Sequence, residues 1–215
     1  MVLSKARHFF IISSRLISDP LLDNPFLFNY IRFFLAGRQK GMKHFIRRYL
    51  KKYQCKTIAD FCCGTGDFAS IIPETAEYIG WDLNEKFIHY SMQRYNNDKN
   101  KQFIKANIMQ SPKIYSRKFD AVLLISTIHH FSDKDLRVLL PKVNKITKKI
   151  VIIADIIPDP PHRLQRFFAS IDRGRYVRPT EEKILILKKY FKIIATQSIQ
   201  TGTAVQFGII CKPKK

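Results

Sequence analysis

The sequence has few cysteine residues and no long apolar segment. Its four cysteines are Cys55, Cys62, Cys63 and Cys211, and no two of them are spaced as C-x-x-C. Neither a zinc site nor the disulfide framework of a secreted protein is therefore indicated. No apolar run approaches the roughly 20 residues that span a bilayer, and the run at 9–12 is too short for a signal peptide. We expect a cytoplasmic protein, and peripheral contact with a membrane stays open.

Acidic residues are also scarce. The 215 residues include 38 Lys and Arg but 17 Asp and Glu, which gives a net charge of +21. The excess is in the flanks: residues 1–53 carry 11 basic and 2 acidic residues, 131–215 carry 18 and 7, and 54–130 carry 9 and 8. Such flanks indicate an anionic partner, which is a membrane surface, a phosphorylated or carboxylated substrate, or nucleic acid. A surface of solvated lysines that binds nothing is the alternative.

A dinucleotide-binding turn would have three glycines, but the turn at 61–67 has two. An apolar run at 58–59 precedes it and a helix-like run at 68–72 follows it, an order typical of a nucleotide-binding unit. Asp60 stands at the strand end, where a carboxylate would repel a pyrophosphate but suits a ligand that carries an ammonium group. Asp82 ends the next strand-like run and can bond both hydroxyls of a ribose. The pattern indicates a nucleoside ligand without phosphate, such as S-adenosylmethionine.

In the order and spacing of its motifs, the chain resembles the class I S-adenosylmethionine-dependent methyltransferases. Asp60-Phe61-Cys62-Cys63-Gly64-Thr65-Gly66 resembles their first motif, Asp82 their second, and the segments 105–108, 119–131 and 150–155 the next three elements. The resemblance covers about residues 55–157. It implies an α/β fold, a Rossmann-like, seven-stranded, mostly parallel sheet with helices on both faces. It also implies an enzyme that uses S-adenosylmethionine as its cofactor.

The resemblance assigns cofactor-binding roles to residues at the ends of the first four strands. They are Asp60, Cys62, Gly64 and Gly66 in the first turn, Asp82 and Leu83 after the second strand, Asn107 and Ile108 after the third, and Ser126 after the fourth. The first turn would hold the methionine portion and Asp82 the ribose. Trp81 or Leu83, together with Asn107 and Ile108, would contact the adenine, and Ser126 or Thr127 would line the methyl site.

Two of these residues depart from the family pattern. Cys62 replaces the usual first glycine, so its Cβ atom lies where the main chain normally approaches the cofactor closely. Asn107 replaces the commoner acid, but its side-chain carbonyl group can accept a hydrogen bond from the adenine amino group.

Two histidines follow the fourth strand, beside the expected methyl group. We predict that one of them, His130 ahead of His129, is the general base or a substrate ligand. A role in shaping the pocket wall is the alternative. No metal site is predicted, because the histidines and acids are not at ligand spacing.

A cationic loop lies in the insertion between the fifth strand and the last helix. It contains Arg173, Arg175, Tyr176 and Arg178. Arginine binds phosphate or carboxylate with two parallel hydrogen bonds, so we predict that this loop binds an anionic group of the substrate. A solvated surface is the alternative.

We divide the chain into two parts. Residues 1–53 are basic, rich in aromatic residues and predicted to be helical, and we interpret them as an N-terminal lid over the substrate pocket. Plain core packing and membrane contact are the alternatives. Residues 54–215 form the predicted methyltransferase domain, in which the insertion 156–179 lies over the substrate site. Helices predicted at 85–95, 133–143, 162–171 and 180–190 and closing strands at 191–199 and 204–211 complete this domain.

Three functions follow from these observations. The first is methyl transfer from S-adenosylmethionine to an oxygen or carbon of an apolar, lipid-like or anionic small molecule. The second is RNA methylation, which the charge favours. It is disfavoured because the Asn- or Asp-Pro-Pro-aromatic motif of amino-modifying nucleic-acid enzymes is absent from the fourth strand end. The third is a non-catalytic binding protein with a methyltransferase fold, which Cys62 suggests.

Overall fold

The described part of the chain is built on one seven-stranded sheet. A computed structural model describes residues 24–27, 29–30, 39–157, 175–202 and 204–214. The strands are β1 (Thr57–Phe61), β2 (Glu77–Asp82), β3 (Lys101–Lys105), β4 (Phe119–Ile125), β5 (Thr147–Ile156), β6 (Phe191–Thr201) and β7 (Ala204–Pro213). Their order is β3-β2-β1-β4-β5-β7-β6. Strands β1 to β5 pair in parallel, and β7 runs antiparallel to both β5 and β6. The predicted Rossmann-like, mostly parallel sheet is thus confirmed.

Helices connect these strands. They are α1 (Lys40–Lys52), α2 (Glu85–Arg94), α3 (Asp133–Ile146) and α4 (Thr180–Tyr190), with 3-10 helices at Asp67–Ile71, Pro112–Tyr115 and Ile128–His130. The helices predicted after the second and fourth strands and before the closing strands are confirmed. The run at 68–72 contributes to a 3-10 helix and does not form an α-helix. The reason is that Pro73 favours an extended conformation at Ile72, which ends the segment.

The apolar sequence of β4 suits a central strand. All seven of its residues are buried, whereas β3 at the sheet edge buries only Phe103. A strand covered on both faces needs apolar residues at successive positions and not at alternate ones. The polar exception in β4 is Asp120 at the beginning of the strand, where its carboxylate accepts a hydrogen bond from the main-chain N–H of Lys56 at 2.8 Å.

Helices cover both faces of the sheet, as predicted. On one face, residues of α1, of the 3-10 helix Asp67–Ile71 and of α2 form a buried cluster with side chains of the sheet. On the other face, α3 and the Leu187 side chain of α4 form a second buried cluster. The site described below lies where both layers end, at the carboxyl edge of the parallel strands.

Helix α1 belongs to the core of this fold. Its apolar side chains Met42, Phe45, Ile46, Tyr49 and Leu50 are buried, and they belong to the same cluster as Ile199 of β6. The contact is close, because a Cβ atom added to Gly208 of β7 would lie 2.6 Å from the Phe45 ring. For α1, this packing agrees with the alternative of plain core packing, and the division of the chain at residue 53 stays a prediction.

Other parts of the predicted lid are described only in fragments. Residues 25–27 and 29–30 are helical, and Asn24 begins the helix by accepting hydrogen bonds from the main-chain N–H groups of Phe26 and Leu27. The remaining lid residues, the helix predicted at 162–171 and residues 158–174 of the insertion lie outside the described residues. Within the described ranges, no helix is both long and apolar enough to cross a membrane.

Truncation of Phe45 tests whether α1 is part of the core. Phe45→Ala is expected to lower the free energy of unfolding by about 3–5 kcal/mol, because it empties a buried phenylalanine site. The measurement is urea unfolding followed by the fluorescence of Trp81, which is the single tryptophan and is buried in β2. Arg47→Ala, on the exposed side of the same helix, is the control and should change stability by less than about 0.5 kcal/mol. An unchanged Trp81 transition in Phe45→Ala would mean that α1 unfolds separately from the sheet.

Candidate active site

The turn after β1 forms the floor of the candidate site. Gly64 and Gly66 both have positive φ, at 56° and 70°, a conformation that side chains with a Cβ atom rarely adopt. A Cβ atom at Gly66 would lie 2.7 Å from the Phe103 ring, so Gly66 is required by packing within the protein. A Cβ atom at Gly64 would meet no atom of the described residues within 4 Å. Gly64 therefore faces open space, as a residue that approaches a ligand does.

Asp82 connects this turn to the end of β2. One carboxylate oxygen accepts a hydrogen bond from the N–H of Gly64 at 2.8 Å, and the other accepts one from the N–H of Asn84 at 2.8 Å. Burial raises the pKa of Asp82, while these main-chain hydrogen bonds lower it. Each oxygen keeps a second lone pair, which can accept a hydrogen bond from a ribose hydroxyl. The neighbouring Leu83 side chain is 65% exposed, and it offers an apolar surface beside Asp82.

Asp60 is a buried acid directly below the turn. Its side chain is 1% exposed, and it accepts a hydrogen bond from the Tyr78 hydroxyl at 2.6 Å. Burial raises the pKa of Asp60 from its ordinary value of 3.8 to about 7. The Tyr78 hydrogen bond lowers it, and the nearby Asp82 raises it further. The acid therefore changes its charge near neutral pH. The position of Asp60 at the strand end is evident from the sequence. The sequence does not indicate Tyr78 as its partner, because a tyrosine in a strand is ordinary.

Cys62 and Ser126 have strained main chains at the ends of the neighbouring strands β1 and β4. Their φ angles are 61° and 50°, in the left-handed region that costs a residue with a Cβ atom roughly 1–2 kcal/mol. Ser126 is held by its N–H, which donates to the carbonyl of Ala154 at 2.7 Å, and by Gln206, which donates to its hydroxyl at 3.0 Å. Strain of this kind concentrates at functional sites. Burial raises the pKa of the Cys62 thiol, so that it is not a thiolate near neutral pH.

Asn107 and Ile108 follow β3 at the same edge. The side-chain oxygen of Asn107 accepts a hydrogen bond from the N–H of Met109 at 2.9 Å and so shapes the turn. Ile108 is buried in the second core cluster. Their predicted contact with adenine stays a prediction, and for Asn107 it would use the second lone pair of the same oxygen.

The two histidines differ sharply in their surroundings. His129 is 1% exposed, and its Nδ1 atom forms a hydrogen bond with the buried carboxylate of Asp155 near the end of β5. His130 is exposed, and its ring centroid lies 4.2 Å from that of His129. The sequence ranks His130 first, but the structure gives the carboxylate partner to His129. Adjacent residues in one 3-10 turn point in different directions, and the sequence does not reveal which of them faces the core.

Arg178 is the residue whose position departs most from the sequence prediction. It is 5% exposed, and its guanidinium donates hydrogen bonds to the carbonyl groups of Ile128, Tyr176 and Phe131 and to the carboxylate of Asp133. These contacts occupy its donors within the protein, and its role in binding an anionic substrate stays a prediction. Arg175 and Tyr176 are exposed, and Arg173 lies outside the described residues.

Two more polar residues belong to the site: Thr127, which the resemblance offers as the alternative to Ser126 at the methyl site, and Lys183, which had no signal in the sequence. The hydroxyl of Thr127 donates to the carbonyl of Phe61 at 3.0 Å and joins the ends of β4 and β1. The ammonium group of Lys183, on α4, is buried and donates to the carbonyl of Ile156. Burial lowers the pKa of Lys183, although the nearby Asp155 raises it. Among the described residues, no cluster of His, Cys, Asp and Glu is arranged to hold a metal ion.

The described N-terminal residues contact the same turn. The hydroxyl of Thr65 donates to the side-chain oxygen of Asn29 at 2.7 Å. The ring of Phe26 packs edge-on against Tyr90 of α2, with 5.2 Å between the centroids. The segment before α1 therefore reaches the turn after β1, where a lid would close.

Comparisons with known proteins agree with this arrangement. Residues 58–149 match a family model described as a methyltransferase domain, and no curated protein matches the sequence. Among solved structures, PH0226 from Pyrococcus horikoshii OT3 is 18% identical with a TM-score of 0.68, and 85% of this chain and 96% of that chain are covered. Magnesium protoporphyrin IX methyltransferase from Synechocystis PCC 6803, with bound S-adenosylhomocysteine, is 14% identical with a TM-score of 0.66, covering 83% and 84%. The methyltransferase domain of bacterial CtHen1 is 16% identical with a TM-score of 0.66, covering 81% and 99%.

These findings confirm the predicted class. Residues 58–149 match a methyltransferase domain, and the solved structures share the fold of this chain. At these identities the structures support the fold, while the motifs at the strand ends support the assignment of individual residues.

The burial of Asp60 predicts how stability depends on pH. An acid whose pKa is about 7 in the folded chain and near 3.8 when unfolded binds its proton more tightly when folded. Its contribution to stability is therefore full below pH 3.8 and is lost as the pH rises through 7. Asp60→Asn keeps the acceptor for Tyr78 and should remove this loss, which is worth about 1.4 kcal/mol for each unit of pKa difference.

The measurement is the free energy of urea unfolding at several pH values between 4 and 8. The free energy of unfolding of Asp60→Asn should increase relative to that of native protein as the pH rises. Glu74→Gln, at an exposed acid, is the matched control and should follow the native curve. Parallel curves for Asp60→Asn and native protein would contradict the prediction.

Proposed function

We propose that the chain binds S-adenosylmethionine at the turn after β1 and transfers its methyl group to an oxygen or carbon of an apolar, lipid-like or anionic small molecule. The observation that carries the proposal is the pairing of Gly64 with Asp82. The turn faces open space at Gly64, and the Asp82 carboxylate is held beside it by two main-chain N–H groups. Solved structures of the same fold, with S-adenosylmethionine or S-adenosylhomocysteine bound, support the choice of cofactor.

The donor set at the site suits this cofactor. Asp60 and Asp82 are both acids, so a phosphate-bearing ligand would be repelled, whereas a ligand with an ammonium group and ribose hydroxyls is complemented. Asp60 and the glycine turn would hold the methionine portion, Asp82 the ribose, and the exposed Leu83 one face of the adenine. When bound, the cofactor supplies the electrophilic methyl group. The protein supplies the alignment of the acceptor and the removal of its proton.

His129 is the first candidate for the group that takes this proton. Since a carboxylate can only accept, the Nδ1–H of His129 donates to Asp155, and the basic lone pair of the ring is then on Nε2. A histidine oriented by a buried carboxylate is the arrangement that general-base catalysis uses in unrelated enzymes. His130 lies against it and is the second candidate. A base is needed for a hydroxyl or an acidic C–H acceptor, which agrees with oxygen or carbon as the methylated atom.

Removal of Asp82 tests the cofactor site. Native protein is expected to bind S-adenosylhomocysteine in a calorimetric titration. Asp82→Ala should bind about 10- to 100-fold more weakly, because each hydrogen bond between a carboxylate and a hydroxyl contributes roughly 1.5–3 kcal/mol. Glu74→Ala removes one exposed acid from the loop before β2 and is the matched control. Equal affinities of native protein and Asp82→Ala would contradict the assignment, and no binding by native protein would favour the non-catalytic alternative.

The exposed side of α1 supports a contact with an anionic surface. The helix carries Lys40, Lys43, His44, Arg47, Arg48, Lys51 and Lys52 and no acid, whereas α2, α3 and α4 each mix both signs of charge. Its apolar side is buried in the core, so it can attract an anionic surface only through charge. We propose that this cationic face of α1 contacts the anionic headgroups of the cytoplasmic membrane surface, from which a lipid-like acceptor would be taken.

Charge reversal on α1 tests this contact. Native protein should sediment with vesicles that contain phosphatidylserine but not with vesicles of phosphatidylcholine alone. Arg47→Glu with Arg48→Glu should weaken binding at least about tenfold, because each basic residue near such a surface contributes about 1 kcal/mol. Lys134→Glu with Arg137→Glu, on the exposed side of α3, is the control. Binding to RNA with an affinity that falls linearly with the logarithm of salt concentration, without vesicle binding, would favour the RNA alternative.

A further inference from the structure

One side chain from a distant element holds the turn that carries the two histidines. Arg178 lies two residues before the first residue of α4 and is buried. One terminal nitrogen of its guanidinium donates to the carbonyl of Ile128 at 3.2 Å and to that of Tyr176 at 3.0 Å. The other terminal nitrogen donates to the carbonyl of Phe131 at 2.8 Å. Asp133 accepts hydrogen bonds from this second nitrogen and from Nε at 2.7 and 2.9 Å.

The positions of these acceptors define what Arg178 does. Ile128 and Phe131 are the residues immediately before and after the His129–His130 pair. A rigid, planar guanidinium that binds a carbonyl group on each side of the pair fixes the direction in which the turn leaves β4. A lysine cannot span the two carbonyl groups and the carboxylate in this way, because its ammonium group is a single point of donation.

The same segment also contacts the histidine pair and its surroundings directly. The N–H of Tyr176 donates to the carbonyl of His129 at 2.9 Å. Further along, the buried Lys183 donates to the carbonyl of Ile156, the residue that follows Asp155. The segment from Tyr176 to Lys183 is therefore bonded to the main chain at two places. One is at His129 after β4, and the other is at Ile156, next to Asp155 in β5.

We propose that Arg178 is a positioning residue of the methyl-transfer site, which holds His129 against Asp155 by binding the main chain on both sides of the histidine pair. The role in methyl transfer rests on the proposed function, whereas the positioning of His129 does not. The free-energy cost of burying the guanidinium is offset by its hydrogen bonds and by two carboxylates. These are Asp133, which it contacts directly, and Glu182, whose Oε1 lies 3.7 Å from Nε of Arg178. Loss of the guanidinium would leave the carbonyl groups of Ile128 and Phe131 without this donor and would free the turn to move.

The test is the exchange of the His129 Nδ1 proton, observed by NMR of protein labelled with 15N. In native protein this proton is bonded to Asp155 and buried, so it should exchange slowly with water. Arg178→Met removes all donors and should speed its exchange at least tenfold. Arg178→Lys keeps the charge but not the planar fork and should show an intermediate increase. Arg175→Met, at an exposed arginine of the same segment, is the matched control and should leave exchange unchanged, and His129→Gln identifies the signal.

Two further measurements separate positioning from general damage to the fold. Trp81 fluorescence should show that each variant is folded, and the affinity for S-adenosylhomocysteine should stay within about twofold of native. Unchanged proton exchange in both Arg178 variants would overturn the proposal. If Arg178→Met does not fold, Asp133→Asn serves as the second variant, because it weakens the carboxylate contact that holds the guanidinium. This variant should speed exchange of the His129 Nδ1 proton several-fold. No change in its exchange rate would overturn the proposal. Failure of native protein to bind S-adenosylhomocysteine would refute the proposed function, while proton exchange would still decide the role of Arg178.

Discussion

The carboxylate of Asp82 is the contact on which the geometry of the site depends. It accepts hydrogen bonds from Gly64 in the turn after β1 and from Asn84 at the beginning of α2. Asn84 in turn caps α2 through its own side chain. One acid therefore sets the shape of the turn and the starting point of the helix, and it stands at the mouth of the space in front of Gly64. The main-chain N–H groups that hold Asp82 also favour its charged form, which is the form that suits ribose hydroxyls.

The chain separates its charges by location. It carries a net charge of +21, yet three acids lie at the carboxyl edge of the sheet, the buried Asp60 and Asp155 and the half-buried Asp82. The acids are held where a cofactor with an ammonium group would bind, and the basic residues are outside, as on α1. The basic residues are exposed, so water and dissolved salt screen their interaction with the acids inside. Asp60 adds a dependence on pH, since its charge changes near neutrality.

Contacts between residues far apart in the chain organise the acceptor side of the site. Arg178 bonds to main-chain groups about fifty residues earlier, and Thr127 bonds to Phe61 across neighbouring strands. The end of β4 is thereby held from one side by β1 and from the other by the segment before α4. His129, Asp155 and Lys183 are buried together within this frame. These three side chains are buried as in a protein core, whereas the adjacent His130 is exposed. The two successive histidines therefore have different surroundings.

The sequence by itself determined the class of fold and the residues of the turn after β1. These features are local: apolar runs of strand length, two glycines at positions that need positive φ, and acids directly at strand ends. It could not determine that α1 packs in the core, because an amphipathic helix has the same periodicity in a lid and against a sheet. Nor could it show that His129 and not His130 has the carboxylate partner, or that the donors of Arg178 are bonded within the protein. Those outcomes depend on which distant groups meet, and only the tertiary structure brings Arg178 to the carbonyl groups of Ile128 and Phe131.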